Sequence, residues 1–99
     1  MEDKHILVLG AGLSSSSLIQ YLLDHSSSER WRVTLGDISK GLAEKKVAGH
    51  KRGQAIHFDV HDDRQRGGWI EEADVVISML PARMHYQVAQ DCVNSGTHL

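Results

Sequence analysis

The run Ile6-Leu7-Val8-Leu9 passes directly into Gly10-Ala11-Gly12-Leu13 and then into four serines, Ser14 to Ser17. A short apolar run with no polar alternation fits a strand buried on both faces, the habit of strands in parallel sheets. Gly10 suits a tight turn out of that strand. Gly12, lacking a Cβ, lets an anionic group lie against the backbone, and the next helix presents free N–H groups and the positive end of its dipole. The spacing Gly10-x-Gly12-x-x-Ser15 is the dinucleotide-binding fingerprint with serine in place of the third glycine. Serine adds a Cβ and a hydroxyl there, so the helix is expected to stand slightly further off the strand. The serine run also supplies N-capping hydroxyls, a role compatible with phosphate contact.

Strands and helices then alternate. The pattern predicts strand one over about Lys4 to Leu9 and a first helix from about Leu13 to Asp24, with Leu18/Leu22 and Ile19/Leu23 one turn apart. The segment Ser26-Ser27-Ser28-Glu29-Arg30 reads as a polar loop. Strand two is expected from Trp31 to Leu35, closing at Gly36-Asp37. Next comes a helix with Ser39 as N-cap and Gly49 as C′ residue, its start blurred by Gly41. Strand three is expected over Gln54 to Val60, a helix containing Gly67-Gly68 over Asp63 to Glu72, and strand four over Asp74 to Leu80. A last helix lies between Pro81 and Asn94, with Met84, Val88 and Cys92 one turn apart and Gly96 as its cap. Thr97-His98-Leu99 reads as the opening of strand five. Such alternation implies right-handed crossovers and a doubly wound parallel sheet of Rossmann type, αβα in three layers, order 3-2-1-4-5 with strand five truncated. The ligand crevice then falls between strands one and four.

The 99 residues suit one domain, and 40% hydrophobic with 24% charged residues is an ordinary globular composition. The net charge of -2 gives no basic footprint for nucleic acid and no cationic face for a membrane. No apolar run approaches a membrane span and the N-terminus lacks the pattern of a signal peptide, so a cytoplasmic location is expected. The single cysteine, Cys92, reads as a small core residue.

Several residues carry candidate chemistry. Asp37 lies 22 positions beyond Ser15, near the spacing at which an acid meets the adenosine ribose. A carboxylate there accepts both ribose hydroxyls and repels a 2′-phosphate, favouring NAD over NADP. It could equally cap the next helix, and Lys40 is a cation that could accommodate a 2′-phosphate. Ile38 adjoins it. Asp59 and Val60, at the end of strand three, are expected beside the adenine. His57-x-Asp59-x-His61 with Asp62 and Asp63 looks like a metal cluster, yet no closed ligand set can be assembled around it, so it reads as a polar strand face running into an Asp-rich cap. No metal is expected. Ser78, Met79, Leu80 and Pro81 should lie under the pyrophosphate and nicotinamide ribose, the apolar members walling the nicotinamide slot. Arg83 and His85 are candidate substrate contacts, a guanidinium matching a carboxylate, or else a solvated first turn.

With these motifs placed, the chain resembles the N-terminal part of saccharopine dehydrogenases of the glutamate-forming, saccharopine reductase-like type. The likeness is most specific at Gly10 to Ser15, Asp59-Val60 and Ile77-Ser78-Met79-Leu80-Pro81 with His85. Ala82-Arg83-Met84 stand where the family commonly has aromatic residues. The resemblance implies a nucleotide-binding domain, Gly10, Gly12, Leu13, Ser14 and Ser15 on the pyrophosphate, and hydride transfer at a CH–NH bond of an amino-acid substrate in lysine metabolism. It also implies that the substrate domain and the catalytic groups lie beyond Leu99, so that residues 1–99 bind nucleotide without turnover. A truncated sheet edge favours self-association or a homodimer. A related polyamine or amino-acid dehydrogenase shares this front half. An NAD(H)-sensing regulatory domain of a potassium channel or transporter fits the same glycines and Asp37.

Overall fold

The computed structural model describes residues 3–12, 15–80 and 82–99, with the side chains of residues 82, 83, 85 and 86 outside that description. The elements run β1 (Lys4–Leu9), α1 (Ser16–Glu29), β2 (Trp31–Asp37), α2 (Lys40–Val47), β3 (Gly53–His57), α3 (Asp63–Glu72), β4 (Val75–Ser78) and α4 (Ala82–Ser95). The sheet is wholly parallel, with order β3-β2-β1-β4. Leu9 lies opposite Gly36 of β2 and opposite Ser78 of β4, so the ends of three strands come level.

Alternation along β1 splits the core into two layers. Ile6 and Val8 pack with Ile19, Leu22 and Leu23 of α1 and with Ala43 and Val47 of α2. Leu7 and Leu9 face the other way, against Ile70 of α3 and Val88 and Cys92 of α4. All four β1 side chains are buried, which is why the run carries no polar residue. Cys92 is a core residue, as expected. Of the truncated fifth strand, the described residues form a single parallel bridge from His98 to Val75, and the His98 carbonyl accepts from Val76 N at 2.7 Å, on the outer edge of β4.

Several boundaries differ from the sequence reading, β4 among them, which spans Val75–Ser78 where Asp74 to Leu80 was expected. α1 continues through the serine segment expected as a loop. The Ser26 hydroxyl donates to the Leu23 carbonyl at 2.7 Å and that of Ser28 to the His25 carbonyl at 3.2 Å, so these polar groups are satisfied inside the helix. It ends at Arg30, left-handed at φ 60°. β2 reaches Asp37, two residues beyond expectation. β3 stops at His57, whereas the sequence pattern carried it to Val60. Helix α3 matches its expected span despite Gly67 and Gly68, because Asp62 caps it by accepting from Gln65 N. Ser39 caps α2 in the same way through Leu42 N, and Gly49 and Gly96 take the positive φ foreseen for them.

Candidate functional site

Gly10 leaves β1 at φ +99°. Its N–H donates to the Gly36 carbonyl at 2.8 Å, extending the strand pairing by one residue. A Cβ added to it would lie 3.1 Å from the carbonyl carbon and oxygen of Met79, which sits there because Met79 N donates to the Leu9 carbonyl at 2.7 Å. Glycine is therefore required twice over, by conformation and by space. Gly12 differs. It is exposed, and among the described residues a Cβ there would meet nothing within 4 Å. That open side is the face on which a bound group could touch bare backbone.

Ser15 is fully buried, and its hydroxyl donates to the Gly12 carbonyl at 2.7 Å. It makes no side-chain capping bond to α1. The hydroxyl thus closes the glycine turn, so at Ser15 the capping expected of the Ser14–Ser17 run is not seen. With no acidic residue in its first turn, α1 keeps an uncompensated positive end. The Lys46 ammonium, donating to the Ser16 hydroxyl, adds to that potential.

Asp37, at the end of β2, engages backbone with both carboxylate oxygens. Oδ1 accepts from Ala11 N at 2.9 Å and Oδ2 from Ser39 N at 2.8 Å. The ribose and helix-entry readings of this residue are therefore compatible, since each oxygen retains a lone pair. Ile38 beside it is 62% exposed, an apolar side chain left in the open at the strand ends.

The loop after β3 is organised by residues that sequence reasoning missed. The Gln65 side chain accepts from Asp59 N at 3.0 Å and donates to the His57 carbonyl. Asp62-x-x-Gln65 has the capping-box spacing, a signal that could have flagged it. Asp59 Oδ1 accepts from His61 N at 2.9 Å, a local turn. His57, Asp59 and His61 consequently do not share a strand face, and among the described residues no His, Cys, Asp or Glu group is arranged to hold a metal. Val60 is buried, and its carbonyl accepts from Arg66 Nη1. Arg66 also pairs with Asp91 of α4 at 2.6 Å and Asp63 at 2.9 Å. Burial opposes its charge, but these carboxylates outweigh it and hold the guanidinium protonated more firmly than usual.

At the β4 end the Ser78 hydroxyl is buried without a partner among the described residues, Met79 is 36% exposed, and Leu80 and Met84 pack partly on the α3–α4 core layer. Leu13, Ser14 and Pro81, expected at the site, and the side chains of Arg83 and His85 lie outside the described residues. The candidate site is a rim formed by the ends of β1, β2, β3 and β4. A 390 Å³ groove between α3 and α4, lined by Gly67, Glu71, Asp91, Asn94 and Ser95, lies apart from this rim.

A parallel sheet with β1 central, the chain crossing from β3 to β4 on the far side of β1, and a glycine turn at that switch point define a dinucleotide-binding domain of the Rossmann class. Residues 6–99 match the family model described as the saccharopine dehydrogenase NADP binding domain, and the chain belongs to that family. It is 27% identical over its full length to the saccharopine dehydrogenase [NADP(+), L-glutamate-forming] of Pyricularia oryzae, covering 21% of that protein. It is 27% identical to the alpha-aminoadipic semialdehyde synthase of Arabidopsis thaliana, over 95% of this chain and 10% of that one. The apo saccharopine dehydrogenase (L-Glu forming) from Saccharomyces cerevisiae superposes with a TM-score of 0.83 at 26% identity, over 95% of this chain and 20% of that one. The chain thus spans about a fifth or less of the length of these relatives. A short-chain dehydrogenase/reductase from Veillonella parvula in complex with NADP shares the fold, with a TM-score of 0.71 at 18% identity. Binding of a pyridine nucleotide is the common ground of the family description, and the residues at the rim fit such a group through the open side of Gly12 and the start of α1, which Ser15 does not cap.

Proposed function

We propose that this chain is the nucleotide-binding part of an oxidoreductase acting on a CH–NH bond of an amino-acid substrate of the saccharopine kind, and that it holds NAD(H) in preference to NADP(H). The observation that carries the reading is the glycine turn. Gly10 is locked beneath Met79, Gly12 is bare to solvent, and the Asp37 carboxylate adjoins the turn. The nicotinamide, when bound, supplies the hydride. The work of the chain is to bind and orient. First-turn N–H groups of α1 meet the pyrophosphate, the spare lone pairs of Asp37 accept the ribose hydroxyls, and Met79 and Leu80 offer an apolar wall. Arg83 and His85, in the first turn of α4, are the proposed contacts to substrate carboxylates. The groups that close over the substrate belong to a further domain, so residues 1–99 bind without turnover.

The family description and the name of the Pyricularia relative both specify NADP, whereas the charge of Asp37 argues for NAD in this chain. A 2′-phosphate about 5 Å from a carboxylate at a hydrated surface is repelled by roughly 1–2 kcal/mol, on the order of tenfold in affinity. Lys40, exposed at the start of α2, is the opposing cation. Titration with NADH and NADPH, followed by nicotinamide fluorescence, tests both levels. Tighter NADPH binding overturns the cofactor preference, and binding of neither overturns the nucleotide reading. In the full-length protein, saccharopine-dependent NAD reduction is the expected activity. Nucleotide binding without any such turnover would point instead to a sensing domain.

A further inference from the structure

We propose that Asp37 is a positioning residue that clasps the glycine turn, in addition to the ribose contact on whose nucleotide reading this inference rests. Ala11 N and Ser39 N are 28 residues apart in sequence and belong to different loops, yet both donate to one carboxylate, at 2.9 and 2.8 Å. Ala11 is fully buried between the two glycines, and its N–H donates to the carboxylate at the end of β2. Without an acceptor this buried amide would be left unsatisfied, and the turn would have to rotate to find one. The peptide that would turn is the one joining Ala11 to Gly10, whose other neighbours are fixed by Gly36 and Met79. The carboxylate therefore sets the angle at which Gly12 and the start of α1 face an anion, and it ties that angle to the entrance of α2 at Ser39.

A residue acting only as a ribose contact and one acting as a clasp respond oppositely to an anion that has no ribose. Removing a negative charge from beside an anion site tightens anion binding on Coulomb grounds alone. Loss of the clasp loosens it. The experiment compares wild type with Asp37→Asn and Asp37→Ala, titrating inorganic pyrophosphate, NADH and NADPH, and measuring amide hydrogen exchange of Ala11 and Ser39 without ligand. The expected result is that both variants bind pyrophosphate and NADH at least tenfold more weakly, while NADPH loses less, because the repulsion of its 2′-phosphate goes with the charge. Ala11 should exchange at least tenfold faster in Asp37→Ala, with Leu7 and Val8 amides unchanged as internal controls of folding. In Asp37→Asn the amide nitrogen cannot accept, so one of the two loop N–H groups should lose its protection. Pyrophosphate binding that is unchanged or tighter in the variants overturns the proposal, as does Ala11 exchange equal to wild type. Wild type that binds none of the three ligands, with Ala11 still released in Asp37→Ala, would overturn the nucleotide reading and leave the clasp standing.

Discussion

The two fingerprint glycines should separate cleanly under the same substitution. Gly10→Ala places an L residue at φ +99° with its Cβ 3.1 Å from the Met79 backbone. Left-handed backbone costs an L residue roughly 1–2 kcal/mol, and forcing a methyl into packed backbone adds about 1–3 kcal/mol. The total is about 2–5 kcal/mol, a large share of the roughly 5–15 kcal/mol that holds a domain folded. With a urea slope of about 1–3 kcal/mol per molar, the midpoint should fall by at least about 0.7 M. The melting temperature should fall by about 10 °C or more. Gly12→Ala meets nothing within 4 Å among the described residues and sits at no positive φ, so its stability should stay within about 0.5 kcal/mol of wild type. Its methyl should nonetheless weaken NADH binding at least tenfold by occupying the bare face. Urea melts followed by circular dichroism, with NADH titration of both variants, provide the check. Equal destabilisation by the two substitutions would refute the division of labour, and so would a Gly10→Ala midpoint within 0.3 M of wild type.

Arg66→Ala should destabilise by about 2–4 kcal/mol, since it strands the half-buried Asp91 carboxylate and the Val60 carbonyl, and a thermal melt within 2 °C of wild type would contradict that. Cys92 is buried, and its burial together with the Asp91 charge pushes the thiol above its ordinary range. Alkylation of the native protein at pH 8 should be far slower than in urea, and equal rates would show the thiol exposed. The Asp3 carboxyl is held below the usual carboxylate range, chiefly by its hydrogen bond with Arg52 and further by Arg30. Its folded value lies under its unfolded one, so the stabilisation is present above about pH 4 and fades as pH drops through the folded value. Urea midpoints of Asp3→Asn and wild type should differ at pH 7 and converge near pH 2, and a gap that persists in acid would sink the assignment.

The order of the central strands and the place of Asp37 were legible because each rests on local pattern. Unbroken apolar character marks β1, and an N-cap followed by a turn of helix marks α2 and α3. What local pattern could not show is the partner of each polar group. The serines at 26 and 28 look like loop formers until their hydroxyls are seen bonding to carbonyls three residues back. The segment Phe58-Asp59-Val60 looks like strand until the Gln65 side chain and the Asp59 carboxylate are seen bending it. Ser15 suits a helix cap, but its hydroxyl is drawn back to Gly12 by the tightness of the turn. At Asp37 the residue type pointed to the site, while its grip on Ala11 depends on two loops meeting in space.

The central position of β1 also governs how the chain can be assembled during synthesis. One edge of β1 is covered by β2 soon after α1, but its other edge waits for Val75–Ser78, emerging more than sixty residues after Leu9. At roughly 5–20 residues per second a ribosome leaves that edge unpaired for several seconds. Leu7 and Leu9, whose cover includes Val88 and Cys92 of α4, stay uncovered still longer. The nascent chain therefore passes through a half-sheet with a naked apolar face, and α4, which completes its cover, is made only after β4.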